Sequence, residues 1–341
     1  MPGCAQILPT KQLSLAPGWS RIRGAIGFGG MKKRFQETCG RLFFPVVRGA
    51  ERRLPVRGLY RILRPYGFVR AAFRGVPASV PLPACLGAAQ SVRAIRQWRG
   101  NAYLNNLLEY FPERLAETKW MDRCRIEGLD CLRQARQGGR PVVLAFGHFG
   151  PYFLLRYWLR AAGVPVATLV KGNSEFRSGV RRRGDQLSPF PGVPTVFHLD
   201  QLRAANEFLA AGNSLLVAID NVTGKQMNVP AGGGWTFQMA TGAVRLAMHH
   251  RAELIPCSII DEGGWRFHIE LGRPVPAGCL AAEVDWVRAG KHLLDELLPR
   301  FRNRPRQCLN QLIKCFQPAP PAVPMENHRD ELLHSHPFAA R

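Results

Sequence analysis

The sequence predicts an α/β fold with a mostly parallel central sheet flanked by helices, and three observations carry the prediction. Short apolar runs alternate with helix-periodic segments between residues 141 and 300. A chain of 341 residues with 46% hydrophobic content can bury one large core. No stretch approaches the ~18 uninterrupted apolar residues of a membrane-spanning helix. Strands are expected at 141–146 (PVVLAF), 164–170, 193–198, 214–220, 253–260 and 265–271, and helices at 152–162, 200–211, 239–250 and 283–300. Strands that alternate with helices are joined by crossovers, which makes neighbouring strands parallel.

The flanks read differently. Residues 1–31 contain Gly and Pro without a period and are expected to be disordered, or to precede a true start at Met31. Residues 32–316 form a single α/β domain in this reading, opened by basic amphipathic helices over 32–137, of which residues 90–137 hold two helical segments. From Arg41 to Arg74 nine arginines interleave with Phe, Leu, Val, Tyr and Ile. That is the composition of an interfacial membrane segment, although solvated helices packed on the main domain would share it. After Phe316 the chain continues QPAPPAVP, so 317–341 is expected to be a disordered tail.

Charge narrows the partner. The chain carries 47 Lys+Arg against 24 Asp+Glu, a formal net charge of +23, mostly as Arg spread along the sequence. An anionic membrane surface, an acidic protein and nucleic acid all complement it. Nucleic acid is not expected, because no helix-turn-helix, zinc or RNA-recognition signature is present. Nine cysteines lie scattered without a CxxC pair, which fits reduced thiols in the cytoplasm and no metal centre. His249 and His250 are adjacent near a predicted helix end and point apart, so they are not expected to form a metal site. The N-terminus lacks the apolar h-region of a leader, and neither secretion nor a membrane span is expected. Walker, Gly-x-Gly-x-x-Gly and Gly-x-Ser-x-Gly signatures are missing.

The chemistry concentrates where the first apolar run ends. Val142 to Tyr157 reads VVLAFGHFGPYFLLRY: a buried strand breaks at Gly147, presents His148, turns at Gly150 and Pro151, and resumes as a helix. Open α/β sheets place their sites at such carboxyl edges. A lone loop histidine is more often merely solvated, and the aromatics around it (Phe146, Phe149, Tyr152, Phe153, Tyr157, Trp158) could line an acyl channel or simply pack the core.

Five blocks in order, NNLLEYFPERL (105–115), PVVLAFGHFG, LVKGN, LVAIDNVTG (216–224) and VPAGGGWTFQMATGAVRLAMHHRAELIP, resemble the lipid A late acyltransferase family, the bacterial lauroyl/myristoyl transferases, over about residues 50 to 310. The resemblance implies a lysophospholipid acyltransferase-like α/β fold with an N-terminal helical segment. It implies an acyltransferase that moves a fatty acyl group from a thioester on acyl carrier protein or coenzyme A to a hydroxyl or amine of an amphipathic glycolipid or lysolipid. The donor is a substrate and no cofactor is implied. The implied location is peripheral, on the cytoplasmic face of a bacterial inner membrane.

Within that resemblance His148 matches the family's general base, since an imidazole titrating near neutrality can take the acceptor proton. The family's partner acid falls five residues later, on Phe153 here. Three possibilities stay open: a carboxylate from elsewhere holds the ring, with Asp220 first and Glu175 and Asp185 behind it; the substrate or a backbone carbonyl does so; or the protein binds lipid or carrier without turnover. The candidate catalytic pair is therefore His148 and Asp220. For substrate binding the resemblance points to Lys171, where the family has Arg, and to Asn173, Arg181 and Arg182. It also points to Gly233 of a Pro-aromatic-aromatic-Gly turn whose aromatics are Ala231 and Gly232 here, and to Thr241 and Gly242, which open the next helix. Asp220 and Gly224 match an Asp-rich turn whose second acid is Val222 here. Lys171 and residues 181–183 could equally be a solvated basic face.

Overall fold

The computed structural model describes residues 45–73, 82–87, 92–171, 190, 193–221 and 224–319. The chain divides into two units, Met1–Arg52 and Arg53–Arg341. Of the first unit residues 45–52 are described, and they are helical. The expected disorder of 1–31 lies outside the described residues, as do Asn173, Glu175, Arg181, Arg182, Asp185 and Val222.

The second unit is mixed α/β. Its strands are β1 (Cys124–Glu127), β2 (Val142–Phe146), β3 (Val166–Val170), β4 (Val196–His198), β5 (Ser214–Ala218), β6 (Gln226–Gly232), β7 (Trp235–Ala240), β8 (Glu253–Asp261), β9 (Phe267–Leu271) and β10 (Phe316–Pro318). Seven of them form one sheet in the order β1-β9-β8-β2-β5-β3-β4. Every neighbouring pair in it is parallel except β8 with β9, which are joined by a tight turn through Gly263 and Gly264. Each strand predicted from 141 to 271 is present.

Among the described residues the unit's longer helices are α1 (Val56–Phe73), α2 (Val92–Asn105), α3 (Leu129–Gln137), α4 (Leu155–Ala161), α5 (Leu202–Ala210), α6 (Gly242–His250), α7 (Trp286–Asn303) and α8 (Asn310–Lys314). α6 packs on β2, β5 and β8, α7 on β6 and β8, and α1 on α2. All five residues of β2 are buried, as expected for a central strand of a covered parallel sheet. α7 buries Leu293, Leu294, Leu297, Leu298 and Phe301 on one stripe and leaves Arg300 and Arg302 toward its end.

The structure differs from the sequence reading in three places. Residues 90–137 hold the two expected helices, α2 and α3, on either side of 111–113, but between them also lie short 3-10 turns, a single α-helical turn at Thr118–Met121 and β1, an edge strand that pairs with β9. CRIE shows period-two burial over four residues, too short a pattern to distinguish from a helix turn. Residues 226–240 contain a hairpin, β6–β7, turned by Gly232, Gly233 and Gly234 at positive φ. The chain also stays ordered past Phe316, because Gln317 and Pro318 pair with Thr236 and Trp235 to close a second, antiparallel sheet β10-β7-β6. The remainder of the expected tail, 320–341, is outside the described residues.

Candidate active site

His148 reaches its position through the register of the central sheet. β2 and β5 are parallel neighbours whose paired residues end at Phe146↔Ala218, and Ile219 N–H adds one more bond to Phe146 O at 2.8 Å. Two residues beyond that last pair stand His148 on one strand and Asp220 on the other. The His148 ring Nδ1 lies 2.8 Å from Asp220 Oδ1, and its main-chain N–H donates to Oδ2 of the same carboxylate at 2.9 Å. A carboxylate can only accept, so Nδ1 carries a proton, and in the neutral ring the lone pair is on Nε2. Asp220 is fully buried, whereas the His148 side chain keeps 17% of its surface exposed. The acid stands behind the ring and the ring faces the opening.

That opening is a cavity of about 470 Å³ beyond the carboxyl ends of β2, β3 and β5, the edge at which open α/β sheets bind their ligands. Phe146, Tyr152 and Phe153 form its apolar wall around His148. Tyr152 stands edge-on to the imidazole at 4.4 Å between ring centroids and stacks on Phe146 at 5.7 Å. The other three aromatics in this stretch, Phe149, Tyr157 and Trp158, are buried in the core.

A polar wall comes from α2 and the turn after it, with Asn105, Asn106 and Glu109 facing Arg156 of α4. Arg156 is 3% exposed; one Nη donates to Glu109 Oε1 at 2.8 Å and to Tyr157 OH at 2.9 Å, and the guanidinium lies over the Tyr157 ring. Asn105, Asn106 and Glu109 belong to a block that carries the resemblance, yet nothing in their spacing brings Glu109 to Arg156, 47 positions away. Gln311 and Leu309 of the C-terminal segment also line the cavity, and no signal in the sequence marks them.

Asn105 has a second role. Its amide donates to Asp261 Oδ2 at 2.8 Å, and Gly263 N–H donates to Oδ1 at 2.7 Å. Burial pushes the Asp261 carboxyl above its ordinary range, and these two donors pull in the opposite direction.

Of the expected binding residues, Lys171 lines the cavity. Gly233, Thr241 and Gly242 do not form part of its wall. Gly233 is at the tip of the β6–β7 hairpin, and Thr241 is buried with its hydroxyl donating to Lys225 O at 3.0 Å. The hairpin, which the strand pattern did not disclose, places Gly233 at its tip, whereas Thr241 and Gly242 follow β7, whose last residue Ala240 donates its N–H to Ile219 O at 2.8 Å.

Among the described residues one group has metal-like spacing, Glu127, His268 and Glu270 on the edge strands β1 and β9. Its charges are already paired: Arg125 lies 3.3 Å from Glu127 and 3.1 Å from His268 Nδ1, and Arg300 pairs with Glu270. It is an ion-pair network of the sheet edge. Among the described residues, no helix is long and apolar enough to cross a membrane. No family model matches this chain, and no curated protein matches it.

Proposed function

We propose that the chain is an acyltransferase of lysophospholipid acyltransferase-like fold, moving a fatty acyl group from a thioester on acyl carrier protein or coenzyme A to a hydroxyl or amine of an amphipathic lipid. The observation that carries this reading is the His148–Asp220 pair at 2.8 Å, set at the mouth of an apolar-walled cavity. Asp220 fixes the tautomer with Nδ1 protonated, so Nε2 is the basic atom available to an acceptor hydroxyl.

In the reaction, Nε2 takes the hydroxyl proton as the acceptor oxygen bonds to the thioester carbonyl carbon. The carbon–sulfur bond then breaks, and the proton passes from Nε2 to the leaving thiolate. Asp220 offsets the charge of the transient imidazolium, which the rings of Phe146, Tyr152 and Phe153 would otherwise disfavour by desolvation. Asp220 thus supplies from the turn after β5 the carboxylate that the family pattern would have placed at Phe153. The same apolar wall suits an acyl chain, and Asn105, Asn106 and Lys171 suit a polar head group.

Membrane attachment belongs to this proposal. α1 exposes Ile62 and Val69, 64% and 53% accessible, beside exposed Arg57, Arg61 and Arg64. An apolar stripe among cations suits an anionic bilayer surface.

The test is acyl transfer by purified protein, with acyl carrier protein and coenzyme A donors and lysolipid or glycolipid acceptors. Transfer by the wild type that His148→Ala abolishes supports the reading. Transfer that survives His148→Ala overturns the base assignment. No transfer from either donor leaves a protein that binds lipid or carrier without turnover.

A further inference from the structure

His148 and Asp220 both lie beyond the last paired residues of β2 and β5, so the sheet ladder that aligns their strands does not fix the two turns themselves. The segment Gln307–Cys315 does. Phe149 and Cys308 form an antiparallel bridge, with Leu309 N–H donating to His148 O at 3.0 Å and Gly150 N–H donating to Gln307 O at 2.9 Å. Further along the same segment, the Gln311 side-chain Nε2 donates to Asp220 O at 3.1 Å. The Cys315 thiol lies 3.6 Å from the same carbonyl. Cys315 O in turn accepts Gln238 N–H at 2.7 Å, which ties the segment to the second sheet. One short strap therefore grips both halves of the pair, His148 through main-chain bonds and Asp220 through side chains.

We propose that Gln311 is a positioning residue for the His148–Asp220 pair. By holding the Asp220 carbonyl it fixes the peptide plane next to the Asp220 Cα, and hence the direction in which the carboxylate leaves the chain toward His148. Of the two side chains on that carbonyl, Gln311 is the one that lines the cavity, so a lipid seated there contacts the strap that orients the acid. The inference deepens the acyl-transfer reading and rests on it for its kinetic consequence, whereas its geometric content is independent of turnover.

The experiment uses full-length protein and reads the far-downfield proton resonance of the His148 Nδ1–H, assigned by its loss in Asp220→Asn. Gln311→Met keeps length and removes the donor. It is expected to shift or broaden that resonance while the thermal midpoint stays within a few degrees, and to lower kcat about tenfold with little change in KM, since small misplacements of a reacting group are costly. Gln311→Glu, of the same shape but without the amide donor, should act in the same direction and stands in if Gln311→Met fails to fold. A resonance and kcat unchanged in both variants overturn the proposal. A resonance that moves in a protein without acyl transfer upholds the positioning role and rejects the acyl-transfer reading instead.

Discussion

The Asp220 carboxylate holds His148 at two points, Oδ1 at 2.8 Å from the ring Nδ1 and Oδ2 accepting the main-chain N–H at 2.9 Å. An amide cannot satisfy both, because it has one acceptor oxygen and turns a donor toward one of the two sites. Asp220→Asn is therefore expected to force the other imidazole tautomer and remove the basic Nε2. Acyl transfer should fall by about 10³–10⁴-fold with the fold retained, a loss far larger than that from Glu175→Gln. Steady-state rates with circular dichroism of the purified variants check it, and a loss below about tenfold would contradict the assigned role of Asp220.

Gly150 turns the chain between His148 and α4 at φ +56°, where an added Cβ would run into the Ile259 carbonyl. Gly139 also has positive φ, +67°, yet nothing lies within 4 Å of its added Cβ. Gly150→Ala is expected to cost about 2–4 kcal/mol from backbone strain plus overlap, and Gly139→Ala about 1 kcal/mol from strain alone. Denaturant unfolding of both variants measures the difference.

Asp261 links stability to pH. Its folded carboxyl titrates above its ordinary value because it is buried, so the folded chain keeps this proton to a higher pH than the unfolded chain does. The stability from this group is complete below the unfolded value near 4 and is lost as pH rises through the folded value. Asn105→Ala removes a donor that favours the ionised form. It should cost about 1–3 kcal/mol near pH 7 and less near pH 4, as read from urea unfolding at the two pH values. Equal costs at both would show that the Asn105–Asp261 bond is insensitive to the carboxyl's charge.

The exposed face of α1 predicts how the protein meets lipid. Binding to anionic vesicles should weaken with salt, and Ile62→Glu with Val69→Glu should reduce it further at every ionic strength. Liposome flotation measures both effects. Equal binding to neutral and anionic vesicles at all salt concentrations would remove the electrostatic component.

Local patterning alone accounts for the alternation of strands and helices from Val142 to Leu271 and for the place of His148 at a strand's end, because burial imposes a local period and Gly147 and Pro151 interrupt it locally. It also makes Asp220 the first choice among distant carboxylates, since it stands at the carboxyl end of a predicted strand, as His148 does. That β2 and β5 are neighbours with Phe146 opposite Ala218, although β3 and β4 intervene in the chain, is a property of the folded sheet. That adjacency sets Asp220 against the ring, and no local period encodes which strands pair. β1, the β6–β7 hairpin and β10 escaped for related reasons: CRIE is too short to show a period, the hairpin's strands are broken by Pro230 and glycines, and Phe316–Pro318 becomes a strand only by pairing with β7. Glu109 beside Arg156, and Gln311 on the Asp220 carbonyl, are contacts between residues 47 and 91 positions apart, fixed by packing.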